Sequence, residues 1–318
     1  MTDCKRFGNS YLLSKLRGIK PALIEPCMSF DPLNLANVVI AGVLTGLVYG
    51  LMALGLSVIF GVARIVNFAH GEMMAIAMYL TVALFATFHL DPFLVVLPVA
   101  ALFLAFGYTL QATVINRFVT RPEHSQFILL LAIAVTMTNL LLIIFGPDAR
   151  SIRLDYLLES IELGPLLIDR GKLYAALVAV GTSTTLFGFF RCTRTGTAIR
   201  ACADNWLGAK VVGLDVERLY ALAFGLGAAC VAVAGCMMSL LVDLTPALGP
   251  AYTLLAFVIV IVGGLGSMPG ALVGGVLIGI SEALAGLFIT PSAKSMFSFA
   301  LLILVLLIRP RGLLGNKL

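Results

Sequence analysis

Charge is what this chain has least of. Asp, Glu, Lys and Arg make up 12% of its 318 residues, about half the share of a soluble domain (~25%). A soluble core of this size is thereby excluded. Histidine is scarce too, with 3 residues and neither His-x-x-His nor HExxH spacing, so no histidine-built metal site is expected. Six cysteines (Cys4, Cys27, Cys192, Cys202, Cys230, Cys236) show no C-x-x-C spacing, which leaves reduced structural thiols as the default. There is no G-x-S-x-G, and the Gly-Lys pair at Gly171–Lys172 lacks a glycine five residues earlier. A serine-hydrolase elbow and a Walker A loop are both missing. With no polar constellation that could do chemistry, the chain is not expected to be an enzyme.

Long apolar runs take the place of charge. Hydrophobic residues make up 60% of the chain, and the runs cover 32–63, 73–90, 92–116, 126–147, 173–190, 219–242, 244–281 and 295–308. A membrane-crossing helix needs ~20 mostly apolar residues. The runs are continuous and do not alternate with period two, which excludes a barrel. The fold class expected is an all-α polytopic integral membrane protein with about 8–10 transmembrane helices. The run 244–281 is too long for one ordinary span, and GGLGSMPG (263–270) is expected to divide it.

The net charge of +5 reads better as a topology signal than as an affinity for nucleic acid. Arg64, Arg117, Arg121, Arg191, Arg194, Arg200, Lys210, Arg218, Arg309, Arg311 and Lys317 are assigned to the cytoplasm. The 148–172 loop, with Asp148, Asp155, Glu159, Glu162 and Asp169, is assigned outside. The amino end conflicts with this scheme. A full span at 34–61 would leave Lys5, Arg6, Lys15, Arg17 and Lys20 outside. Either a re-entrant or half-helix breaks 33–70 at Gly42, Gly46, Gly50, Gly55 or Gly61, or translation begins at Met28. The second is preferred, giving an extension at 1–27 and a single domain at 28–318. The extension has no apolar segment of signal-peptide type.

Three local patterns carry information beyond hydropathy. Small residues recur every four positions at Gly42, Gly46 and Gly50, at Ala271, Gly275, Gly279 and Ala283, and at Ala221, Gly225 and Ala229. Such ridges let helix backbones approach closely in lipid, within the chain or between subunits. The loop 191–218 contains an apparent helix at 197–212. Ile199, Cys202, Trp206, Ala209 and Val212 fall on one face, and Gly213 is placed to end it. It suits either the headgroup layer or a cytoplasmic partner. ARIVNFAHGEMMA (63–75) gathers Arg64, Asn67, His70, Gly71 and Glu72 between apolar runs. Its structural reading is a cytoplasmic turn into a helix at 70–89, with Asn67 as cap, Glu72 facing the helix dipole and His70 bonding a backbone carbonyl. A gate or path role is the alternative.

Candidate path-lining groups are Thr136, Thr138, Asn139, Thr182–Thr185, Ser239, Thr245 and Thr253. An ion-coupled secondary transporter would need an intramembrane charge, and Glu72, Asp243, Glu282 and Lys294 all fall near expected helix ends.

The segment GLVYGLMALGLSVIFGVARIVNFAHGEMM (46–74) resembles the amino-terminal signature of the H-type inner-membrane permeases of bacterial branched-chain amino acid ABC importers. RTGTAIRACADNWLGAKVVGLDVERLYALAFGLGAACVAVAG (194–235) resembles their coupling loop. Arg200, Ala201, Ala203, Asn205, Ala209 and Gly213 meet the pattern, and Val211 and Leu214 are conservative departures. VIVGGLGSMPGALVGGVLIGISEAL resembles their glycine-rich carboxyl-terminal helices. The resemblance implies a multi-pass protein of the bacterial inner membrane that pairs with a second permease, two cytoplasmic ATPases and a periplasmic binding protein. ATP and magnesium would then be used by the ATPases, with no cofactor in this chain. It also implies a coupling helix whose polar contacts include Arg200, Asp204 and Asn205, and apolar amino acids as cargo. A urea or short-amide importer permease shares much of the pattern and stays open.

Overall fold

The computed structural model describes residues 32–119, 121–152, 154, 159–164, 166–288 and 294–315. The extension at 1–27 and the Met28 start lie outside these residues. Among the described residues, seven helices are long and apolar enough to cross a membrane, and two shorter apolar ones accompany them. The protein is an all-α polytopic membrane protein.

Helix α1 (Pro32–Ala63) is followed by α2 (His70–Phe88) and α3 (Pro92–Thr113). Asp91 caps α3, accepting from the Phe93 N–H at 3.0 Å, and Pro92 sits in the first turn, where its missing N–H costs nothing. A 3₁₀ turn at Ile115–Phe118 leads to α4 (Glu123–Phe145). Next comes an antiparallel hairpin, β1 (Ser160–Leu163) with β2 (Leu166–Asp169), pairing Ser160 with Asp169. Asp169 then caps α5 (Arg170–Cys192) through the Lys172 N–H.

Two short helices, α6 (Arg194–Asp204) and α7 (Trp206–Val211), join α5 to α8 (Val216–Met238). The chain ends with α9 (Leu248–Gly263), α10 (Met268–Phe288) and α11 (Lys294–Ile308). Gly264 and Gly266, both at positive φ, make the turn between α9 and α10.

The core is built from helices that touch backbone to backbone. Helix α1 lies along α10, and α3 lies along α8. A Cβ added to Gly46 would stand 2.7 Å from the Val276 Cα. Gly42 faces Gly279 and Ala283, and Gly50 faces Gly275 and Leu272. At the second crossing, Gly107 meets Gly225 and Ala228. Lipid supplies no hydrophobic drive between helices, so close van der Waals contact along such ridges holds the bundle. The glycines of α1 therefore serve packing, and α1 runs unbroken through all five of them, without the internal break considered above. Helix α8 is the most enclosed span and α4 the least.

Candidate functional site

The polar stretch Asn67–Glu72 does not lie at the surface. Helix α1 ends at Ala63, and the next residue, Arg64, is exposed and takes the left-handed conformation (φ 56°). Residues 65–69 then turn back into the bundle in non-helical form. Their depth follows from three neighbours. The His70 Nε2 lies 2.9 Å from the Met52 carbonyl, and Met52 sits ~16 Å up from the Ala63 end of α1 at 1.5 Å per residue. Thr253, which contacts Gly71 and Glu72, sits ~15 Å up from the Gly263 end of α9. A Cβ on Gly55 would meet both His70 and the carbonyl of Gly227, and Gly227 is ~16 Å into α8. All three put His70 about half-way through the bundle, ~15 Å in from the Ala63 and Gly263 helix ends.

The turn expected at the cytoplasmic surface is thus a re-entrant stretch, and α2 starts at half depth. Asn67 also differs from its expected role. Its Oδ1 accepts from the Ala69 N–H at 3.0 Å, and Asn67 stands two residues before the N-cap of α2, Ala69, which has no side-chain cap bond. The amide nitrogen of Asn67 reaches the Met73 sulfur.

His70 does bond a backbone carbonyl, that of Met52. Glu72, 3% exposed, accepts from the Thr253 hydroxyl at 3.0 Å. That same hydroxyl oxygen accepts from the Gly71 N–H at 2.9 Å. Gly249, in the first turn of α9, packs directly on Glu72. So the first turns of α2 and α9 meet at this carboxylate, and both helix dipoles favour an acidic group there. The consequence is a joint that ties α1, α2 and α9 together at half depth with polar bonds. Among the described residues, no group of three His, Cys, Asp or Glu could hold a metal ion.

The second candidate element lies between α5 and α8. Thr193 caps α6, accepting from the Gly196 N–H at 2.9 Å. The single helix expected at 197–212 is in fact two helices, broken at Asn205, whose φ of −150° is not helical. Its Oδ1 accepts from the Gly208 N–H at 2.9 Å and so starts α7. Gly213, at φ 86°, ends α7, and the Leu214 N–H returns to the Ala209 carbonyl.

Ile199, Cys202 and Ala209 are buried as the inner face. Trp206 and Val212, expected on that face, are instead exposed, at 52% and 75%, because the break rotates α7. With Leu207 and Val211 they form an apolar patch beside Arg200, Asp204 and Lys210, all exposed. Ala201 is exposed and Ala203 partly so. Burial pushes the Cys202 thiol above its ordinary pKa.

The intramembrane hydroxyls are mostly occupied with their own helices. Thr136, Thr138, Thr182, Ser183, Thr184 and Thr185 each donate to the carbonyl four residues earlier, and Asn139 does the same. Ser239 bonds the Cys236 carbonyl. Thr253 is the exception, since it bridges two helices. Glu72 and Glu282 sit deeper than a reading by helix ends suggests. Glu72 begins a helix that itself starts at half depth, and Glu282 lies within α10 and accepts from the Ser298 hydroxyl at 2.8 Å.

A multi-pass helical bundle with a buried polar joint and an exposed connecting patch defines a polytopic helical membrane protein. Residues 38–306 match the family described as branched-chain amino acid transport system / permease component, and the chain belongs to that family. Its relatives include the high-affinity branched-chain amino acid transport system permease protein LivH of Escherichia coli. The two are 32% identical over 292 residues, which cover 86% of this chain and 94% of that one. BraD of Pseudomonas aeruginosa, of the same description, is 31% identical over 294 residues, with the same coverage. A probable branched-chain amino acid permease of Methanocaldococcus jannaschii is 27% identical over 278 residues, covering 83% of this chain and 88% of that one. No solved structure matches.

Proposed function

We propose that this chain is one permease subunit of an ATP-driven importer of branched-chain, apolar amino acids in a bacterial inner membrane. It has no ATPase or other enzymatic site of its own. A second permease completes the path, two cytoplasmic ATPases drive it with ATP and magnesium, and a periplasmic binding protein delivers the cargo. On this reading the end bearing Arg117, Arg121, Arg191, Arg194 and Arg309 is cytoplasmic, and the hairpin end faces the periplasm.

The observation that carries the reading is the α6–α7 unit on a chain of this family. It presents Trp206, Leu207, Val211 and Val212 outward, although such groups on an isolated protein in water would favour burial. It is also fastened to the bundle at both ends. The Thr193 hydroxyl bonds the Phe189 carbonyl of α5, and Asp215 caps α8 through the Arg218 N–H. A partner that grips this patch differently in its two nucleotide states would thereby move α5 and α8, which is what coupling requires.

The test is purification of the tagged chain from its native membrane in mild detergent, with mass spectrometry of what accompanies it. Two ATPases and a second permease are expected. In reconstituted vesicles, Trp206→Ala is expected to weaken ATPase retention and to slow leucine uptake in parallel. A chain that purifies alone and moves solute without ATP would refute the proposal.

A further inference from the structure

The half-depth joint carries an aromatic contact that its polar bonds do not explain. The Phe68 ring stands edge-on to Phe127 of α4, with centroids 4.6 Å apart, and lies 5.1 Å from the ring of Phe257 of α9. Phe127 is ~6 Å in from the start of α4, and Phe257 is ~9 Å in from the Gly263 end of α9. The three rings therefore lie between the joint and the arginine-rich end. Two of them are held by the joint itself. The Thr253 hydroxyl also reaches the Phe68 carbonyl, at 3.3 Å, and Phe257 follows Thr253 by one turn of the same helix. Phe127 differs: it is 41% exposed and belongs to the least enclosed span.

How α4 is fastened says which end of it moves. At the hairpin end, Phe145 packs on Tyr79 of α2 with centroids 4.8 Å apart, and Arg150 and Leu244 exchange backbone bonds at 2.9 and 2.7 Å. Between there and Gln126, among the described residues, no hydrogen bond leads from α4 to another helix, because Thr136, Thr138 and Asn139 bond their own carbonyls. At the other end α4 hangs from the 3₁₀ turn and its loop, to which Gln126 bonds at the Val119 and Arg121 carbonyls. That turn is tied to α8. The Asn116 Nδ2 donates to the Glu217 carbonyl at 3.3 Å, and its Oδ1 accepts from the Gln111 Nε2 of α3 at 2.9 Å. Glu217 lies in the first turn of α8, two residues after Asp215, where the α6–α7 unit is fastened. A movement of that unit thus reaches the root of α4 through the Asn116 side chain.

The chain beside the rings is suited to water. Val66 is exposed, and the backbone N–H groups of Val66 and Phe68 make no hydrogen bond among the described residues. Non-helical backbone inside a membrane persists only where protein covers it or where it lines a water-filled cavity. An apolar neighbour would leave those amides unanswered, whereas water answers them.

We propose that Phe68, Phe127 and Phe257 close the cargo path toward the arginine-rich end, with Phe127 as the moving ring and Asn116 as the residue that relays the movement of α6–α7 to it. The proposal rests on the function proposed above and names where the path opens in this chain. Phe68 and Phe257 stay with the joint. Helix α4 pivots about its Tyr79 end and carries Phe127 off Phe68. A closure made of rings excludes water and hydrated ions, as apolar constrictions do, yet offers an aliphatic side chain no polar group to hold it back. Asn116 touches no cargo and is a positioning residue.

The test uses the complete importer in proteoliposomes and a short bifunctional methanethiosulfonate, with the links identified by peptide mass spectrometry. Joining Phe68→Cys to Phe127→Cys is expected to stop leucine uptake, and cleaving the link with a reductant to restore it. Joining Phe68→Cys to Phe257→Cys, two positions that move together, is expected to leave uptake running. Equal uptake by the two linked importers would overturn the moving ring and leave the function standing. Asn116→Asp still accepts from Gln111 and no longer donates to Glu217. It is expected to lower the leucine carried per ATP hydrolysed by roughly three- to tenfold, the scale of one hydrogen bond, with ATPase rate and assembly unchanged. An unchanged ratio would overturn the relay. Should the paired variants fail to assemble, Phe127→Cys alone decides. Its labelling by an aqueous thiol reagent is expected to differ between the nucleotide-free and the vanadate-trapped importer, and equal labelling would overturn the gate. A native complex that carries no leucine under ATP would overturn the function itself, and that is seen before any variant is made.

Discussion

Gly71 shows how little freedom a single residue has at the half-depth joint. A Cβ there would run into the Gly249 carbonyl and into the backbone and hydroxyl of Thr253. Backbone atoms do not step aside as the end of a flexible side chain does. Gly71→Ala is therefore expected to destabilise the protein by ~1–3 kcal/mol, the usual cost of overpacking, and to lower its thermal midpoint in detergent. Gly181→Ala serves as the contrast. A Cβ on Gly181 would meet nothing within 4 Å, so that variant's midpoint should not fall. The polar residues of this joint were legible in the sequence because they stand out against hydrocarbon. Their partners were not. His70 bonds a carbonyl 18 residues away, and Gly71 bonds a hydroxyl 182 residues away. A backbone carbonyl has no sequence signature, and Thr253 resembles any other intramembrane threonine until α9 is placed beside α2.

At the scale of elements, the α6–α7 unit was half legible. Its three-and-four spacing located the inner face at Ile199, Cys202 and Ala209, and Gly213 marked the end. The break at Asn205 escaped because periodicity ignores a one-residue interruption. The available clue was the residue type, since asparagine favours the N-cap position over a helix interior. Asn205→Ala is expected to cost ~1 kcal/mol and to speed hydrogen exchange across 206–211, while 194–204 exchanges as before. Cysteine chemistry gives an independent reading of the same unit. Cys192 is exposed and Cys202 is buried with a raised pKa. A raised pKa means fewer thiolates at a given pH, so iodoacetamide at pH 8 should modify Cys192 and spare Cys202. Alkylation of Cys202 should rise only at higher pH, as peptide mapping would show. Equal labelling of both at pH 8 would contradict the burial described here.

For the whole molecule, composition and run length fixed the class, and the division at GGLGSMPG appeared where the glycines and proline stand. The uninterrupted course of α1 was the preferred expectation, but the sequence alone left a break open. The same glycines permit either a bend or a close crossing, and the choice belongs to α10, which is made more than 200 residues later. The hairpin at 160–169 was missed as well, because strands of four residues are too short for alternation to register.

The re-entrant stretch 64–69 also sets an order on biosynthesis. When the ribosome has made α1 and α2, the Gly71 amide and the Glu72 carboxylate both lack the Thr253 hydroxyl, because α9 is still to be translated. Neither group is at ease in bare lipid. During that interval α2 has to be held shallow, in water or within the insertion machinery, and it reaches its final depth when α9 arrives. Chains truncated before residue 248 should thus leave a site engineered near Glu72 open to aqueous thiol reagents and should be degraded quickly, whereas the full chain should close it. The last third of the protein completes the insertion of the first.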